Sequence, residues 1–182
     1  MPTPSPRPAL EYARRLYANI LAWYESAERK AQIVLTVDGV FLGLLTASFT
    51  SGVTELRGVV DAFGPLTWLA LSVALVMLLA SLLSAVWCLR SRQVYGPASD
   101  SPAETMWFYR MIAAKQQAEF MAQARAIDEA TEVDALTSQV WRLSHIVATK
   151  HTWANVAFAS TGLSLFAFTL AAASYVGLDL GA

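Results

Sequence analysis

Long apolar runs at 32–50, 65–88 and 152–176 alternate with stretches in which apolar residues return only every third or fourth position. At about 1.5 Å per residue, a helix of about 20 residues crosses the roughly 30 Å of bilayer hydrocarbon, so each run predicts a membrane span. The flanking stretches predict amphipathic helices. Tyr17, Ile20, Tyr24 and Ala27 recur at helical spacing through 9–31, and Leu136, Val140, Leu143 and Val147 do so ahead of the third run. Neither glycine nor proline interrupts 9–38 or 103–161, so a polar helix can continue directly into the first span and another into the third. Within 102–151, the acids Asp128, Glu129, Glu132 and Asp134 mark the favoured place for a helix to start anew. Ser101, Pro102 and Glu104 read as a capping box with a first-turn proline. Beyond it, Trp107, Met111, Ala114, Ala118 and Met121 form an apolar side, with Lys115 and Glu119 as an i,i+4 pair.

The chain is therefore expected to be an all-α integral membrane protein with three transmembrane helices, its long helical cytoplasmic extensions forming a bundle. The division is a proline-rich lead-in (1–8), a cytoplasmic helix (9–31), the first span (32–50) and an external loop (51–64). Then come the second span (65–88), a cytoplasmic loop (89–101), a helical segment (102–151), the third span (152–176) and an external tail (177–182). Composition supports this: 55% of the 182 residues are apolar and 15% are charged, against about 25% charged in soluble domains. Such a length accommodates three spans and a modest bundle but no large enzyme domain beside them. Charge order sets the orientation. Of 13 lysines and arginines only Arg57 falls between the first two spans and none follows the third, which places the N-terminus and 89–151 in the cytoplasm. Trp68, Trp87, Trp153 and Tyr175 suit the membrane edges. The first apolar run follows a charged segment and is a retained anchor rather than a cleavable signal. A single cysteine, Cys88, excludes an intrachain disulfide.

Several residues interrupt the apolar pattern and so invite a role. Asp38 is the only acid in the first span; a charge there costs several kcal/mol, so it is protonated, paired or turned toward protein. Gly39, Gly43 and Ala47 follow at four-residue spacing and would let another helix approach closely. Asn155, with Thr161, Gly162 and Ser164, makes the inner half of the third span more polar than its outer half. Arg29 and Lys30 lie where the first helix enters the membrane and Lys150 where the third does. With Glu28, and with Arg142 two turns further out, they form a candidate ligand-binding cluster, because a guanidinium fork and an ammonium suit phosphate oxygens. Tyr24 and Trp141 are large enough to stack on a base. The same cations serve equally as anchors that reach lipid phosphate. No catalytic or metal-ligating set is expected: His145 and His151 are six apart without a cysteine pair, and there is no glycine-rich phosphate loop or nucleophile elbow. No cofactor and no nucleic-acid partner are expected either.

Ala27-Glu28-Arg29-Lys30-Ala31 running into Ile33-Val34-Leu35-Thr36-Val37-Asp38-Gly39, together with QVWRLSHIVATK at Gln139 to Lys150, resembles the small membrane effectors of Pycsar bacterial antiphage systems. Ala27, Lys30, Ala31 and Gly39 match the first patch, with Glu28 where aspartate is usual. Leu143, Ser144, Ile146 and Lys150 match the second, with His151 where an aromatic is common. In layout the likeness extends over most of 11–176. It implies a homo-oligomer of the bacterial inner membrane, activated by cyclic CMP or cyclic UMP from a partner cyclase during phage infection. Impairment of the membrane and abortive infection would follow. The residue pattern without the resemblance fits equally a membrane oligomer that docks another protein, or a channel with no nucleotide ligand.

Overall fold

The computed structural model describes residues 8–50, 58–90 and 109–179, and every element in them is helical. The expected lead-in up to residue 7, the capping box, Trp107, the side chain of Met111 and most of both loops lie outside the described part. The helices are α1 (Pro8–Thr50), α2 (Pro65–Leu89), α3 (Tyr109–Ala114), α4 (Gln117–Arg125) and α5 (Glu129–Asp179). Three of them, α1, α2 and α5, are long and apolar enough to cross a membrane. The chain is thus all-α, with three spanning helices and further helices in a bundle.

Burial follows the helical period closely. On α1 a line of enclosed or half-enclosed positions runs Leu10, Ala13, Tyr17, Ile20, Tyr24, Ala27, Ala31, Val34, Asp38, Phe41 and Leu45 in alternating steps of three and four, with half-buried Glu11, Leu16, Glu28 and Leu35 beside it. On α5 the same alternation runs Leu136, Val140, Leu143, Val147, Lys150, Ala154, Ala157, Thr161 and Ser164. A 3.5-residue repeat of this kind is the seam of helices packed at shallow angles. Two polar residues with ionisable ends, Asp38 and Lys150, therefore occupy seam positions.

The chain divides into two units. In the one made of Met1–Ser26 and Ser91–Thr149, Leu10, Ala13 and Leu136 pack together with Tyr17 and Val133 against them. An ion pair of Arg14 with Glu132, 2.6 Å long, covers this contact from the solvent side. The start of α5 has a local cause. Asp128 accepts the Thr131 backbone N–H at 2.8 Å, the N-cap arrangement that satisfies an orphan donor. Hydrogen bonds from Thr131, side chain first and backbone second, hold the Asp128 carboxyl below its ordinary value.

A second break was not anticipated. Helix α3 stops at Ala114 and α4 resumes at Gln117, with Gln116 extended between them. Ala114 and Ala118 are consequently no longer neighbours on one helical face, and Ala114, Ala118 and Met121 are exposed rather than forming a buried side. Lys115 donates instead to Gln123, whose amide donates to Glu119 at 3.2 Å.

In the unit made of Ala27–Arg90 and Lys150–Ala182 the core is built from small residues: Ala31, Val34, Ala85, Cys88, Ala154 and Ala157. Small side chains let helix backbones come close where the solvent is lipid and gives no hydrophobic drive between helices. Close approach brings polar atoms of α2, at seven-residue intervals along that helix, against polar atoms of α5. Thr67 meets Ser174 at 2.8 Å, the carbonyl of Ala74 accepts from Ser164 at 2.7 Å, Ser81 meets Thr161 at 2.7 Å, and Cys88 Sγ lies 3.4 Å from the carbonyl of Lys150. Numbers rise along α2 while they fall along α5, so the pair is antiparallel. Aromatic contacts mark two levels: Phe63 with Trp68 and Tyr175 at one end, Trp87 with Trp153 at the other. On α2 the levels are 19 residues, or about 28 Å, apart, which matches the hydrocarbon depth.

Candidate functional site

Two polar centres lie inside the spanning unit. In the first, Asp38 is 1% exposed and Ser81 is fully enclosed. Ser81 Oγ lies 2.6 Å from Asp38 Oδ2, 2.7 Å from Thr161 Oγ1 and 3.0 Å from the Ala157 carbonyl. Thr161 Oγ1 lies 3.1 Å from Asp38 Oδ1 and 3.2 Å from the same carbonyl. One residue from each spanning helix thus contributes to a single contact, and Asp38 is turned toward protein, not lipid. Its depth differs from a mid-membrane position. Ser81 is six residues from Trp87 and 13 from Trp68, so the contact sits about 9 Å inside one aromatic level and about 20 Å from the other.

The second centre lies at the aromatic level nearer to the first. Lys150 is 1% exposed, although ammonium groups are seldom so enclosed without a partner. Its Nζ donates to Glu28 Oε1 at 2.7 Å and to the backbone carbonyl of Cys88 at 2.8 Å. Cys88 is in the last turn of α2, where carbonyls lack intrahelical donors and carry the negative end of the helix dipole. Lys150 therefore caps α2 while Glu28 on α1 balances its charge. The Cys88 thiol adds a weak bond to the Ala27 carbonyl at 3.8 Å. Beside this centre the Arg90 guanidinium stands 5.2 Å above the Trp87 ring, an attractive cation–π geometry. Among the described residues no buried side-chain nitrogen or oxygen lacks a hydrogen-bond partner.

Of the expected ligand cluster, the structure brings Glu28 and Lys150 together. Arg29 and Lys30 are exposed on other faces of α1, as the seam through Ala27 and Ala31 requires. Arg142 is half-buried on α5 in the other unit. Trp141 is 64% exposed, with His145 edge-on at 4.6 Å, and Tyr24 is half-buried. Gly39 and Gly43 face outward, and a Cβ on either would meet nothing within 4 Å, so among the described residues no helix uses their close-approach face. Asn155 is exposed as well. The sequence pattern singled out neither Ser81 nor the Cys88 carbonyl. The available signal was the recurrence of small residues at 67, 74, 81 and 88. Among the described residues no group of three or more histidine, cysteine, aspartate or glutamate side chains could hold a metal ion.

Three spanning helices joined by a partly buried ion pair and a hydroxyl–carboxyl contact define a small multi-pass membrane protein of all-α build. Residues 12–177 match the Pycsar effector protein domain, PycTM, and the chain belongs to this family. No curated protein and no solved structure matches it.

Proposed function

We propose that the chain is the membrane effector of a Pycsar-type antiphage system. A cyclic pyrimidine nucleotide, cyclic CMP or cyclic UMP from a partner cyclase, engages the α1 and α5 helices on the cytoplasmic side near Glu28, Arg29, Lys30 and Lys150. The spans then repack, and the inner membrane of the bacterium loses integrity. The protein acts as a homo-oligomer and catalyses no reaction, and its N-terminus and residues 89–151 are cytoplasmic. Family membership and the concentration of basic residues in those segments support this reading.

The observation that carries it is the uninterrupted seam. Both α1 and α5 continue as single helices past Glu28 and Lys150 into their spans, so a change in packing at the ion pair is passed along rigid elements to Asp38 and Thr161. Exposed Arg29 and Lys30 offer the first contacts to a phosphate. Lys150 reaches one only by leaving Glu28 and the end of α2, so capture of the anion and loosening of the helices are one event.

Calorimetric titration of cyclic CMP and cyclic UMP into the detergent-solubilised protein tests the proposal. Binding heat with the native chain, weakened about tenfold or more in Lys30→Ala and in Arg29→Ala, is expected from loss of a charge-assisted contact. Absence of heat with the native chain, or unchanged affinity in both variants, would sink the site. A fall of membrane potential in cells supplied with the nucleotide, and its absence without supply, separates this function from a constitutive channel.

A further inference from the structure

The contact of Asp38, Ser81 and Thr161 is a closed triangle of oxygens. Its edges are 2.6 Å (Asp38 to Ser81), 2.7 Å (Ser81 to Thr161) and 3.1 Å (Thr161 to Asp38). Oxygens this close attract each other only if a hydrogen lies between them; otherwise lone pair faces lone pair. Each hydroxyl brings one hydrogen and accepts others, whereas an ionised carboxylate brings none. Two hydroxyls cannot fill three edges. When both point at the carboxylate, Ser81 and Thr161 meet without a hydrogen at 2.7 Å. With one or both turned to the Ala157 carbonyl, Asp38 keeps a single donor or none, in a site that is 1% exposed.

We infer that Asp38 is a proton-binding site and that the carboxyl supplies the third hydrogen. The ring then runs carboxyl to one hydroxyl, that hydroxyl to the other, and the second hydroxyl back to the remaining carboxyl oxygen; either sense satisfies all three edges. A neutral ring also suits its surroundings, because the spanning segments that supply its members bring no opposite charge to balance a carboxylate. Its own helix has no other charged residue from 31 to 50, α2 has none in Pro65–Leu89, and α5 has none between His151 and Asp179. The centre containing Lys150 shows the contrasting case, in which charge is met by charge. Closure of the three helices thus hides an acid in neutral form, and parting them breaks the ring and presents that acid to entering water. The inference stands on the geometry of the spans and is independent of which nucleotide, if any, the protein receives.

Infrared difference spectroscopy of the purified protein at neutral pH, native against Asp38→Asn, tests it. Asparagine is neutral and of the same shape, with hydrogens to donate and an oxygen to accept, so it can close the ring. The expected result is a carboxylic-acid C=O stretch in the native protein that is missing from Asp38→Asn. The unfolding midpoint of Asp38→Asn is expected within about 1 °C of native and that of Asp38→Leu at least about 3 °C lower. A native spectrum without the acid stretch, an acid stretch that survives in Asp38→Asn, or equal destabilisation by Asn and Leu would overturn it. Should Asp38→Asn fail to fold, Ser81→Ala serves: loss of a ring member must shift the acid stretch, and an unmoved stretch refutes the ring.

Discussion

Lys150 and Asp38 are enclosed to the same degree and occupy equivalent seam positions, yet they are accommodated by opposite means. Lys150, at the level of Trp153, meets the Glu28 carboxylate and the negative end of α2. Asp38, about 9 Å deeper by the Ser81 register, meets among the described residues the hydroxyls of Ser81 and Thr161 and no cation. Depth explains the difference. Near the aqueous edge an ion pair retains partial hydration, and the Glu28 side chain is 31% exposed; farther in, two desolvated charges cost more than their attraction returns. What this teaches is that a polar residue on a membrane seam is read by its depth as much as by its type. Both centres join all three spanning helices, and a polar group on an otherwise apolar seam fixes register at some expense of stability.

The comparison is broken or sharpened by substitution. Largest is Lys150→Ala, which leaves the Glu28 carboxylate and the Cys88 carbonyl without their donor; a loss of about 3 kcal/mol is expected, the low end for a broken enclosed ion pair. Thermal unfolding in detergent measures it, and a change below about 0.5 kcal/mol, as at an ordinary surface site, would show that Lys150 does not hold the helices. Asp38→Leu follows, at about 1–2 kcal/mol, because Ser81 and Thr161 retain the Ala157 carbonyl as acceptor. Liposomes bearing this variant should also differ from native in dye leakage under activating conditions. Equal leakage and equal stability would mean that the deeper centre is passive.

The smallest effect lies outside the spans, at Asp128→Ala. Loss of this cap should speed exchange of the Thr131 amide hydrogen and fray the first turn of α5 without disturbing either polar centre. Since the folded state holds the Asp128 carboxyl below its ordinary value, its stabilising contribution is full above the ordinary aspartate range. It is lost as pH falls through that range and past the lowered folded value. Thr131 exchange in the native chain should therefore approach that of the variant on acidification; a constant difference would contradict the cap.

Much of this architecture was legible beforehand, for reasons that differ by residue. Leu136, Val140, Leu143 and Val147 announced the α5 seam because their spacing is a property of one helix. Asp38 stood out because its apolar surroundings make a lone acid conspicuous. Asp128 and its neighbours marked the start of α5, since short acids favour a first turn. The pause at Lys115 and Gln116 carries no glycine or proline and had no such signature. Arg29, Lys30 and Lys150 looked alike as basic residues at membrane entry, yet Lys150 is enclosed while Arg29 and Lys30 face outward. Only their angular positions relative to the seam tell them apart, and the seam through Ala27 and Ala31 would have assigned them had it been extended past Lys30.

Helical content, the three membrane-length runs and the buried face of each long helix are written in the residue order, because period and polarity are local. Which polar atom meets which is not. Ser81 finds Asp38 across 43 residues and Thr161 across 80, and Lys150 finds Glu28 across 122. Those meetings depend on the axial register of helices remote in the chain, which small-residue packing in three dimensions decides.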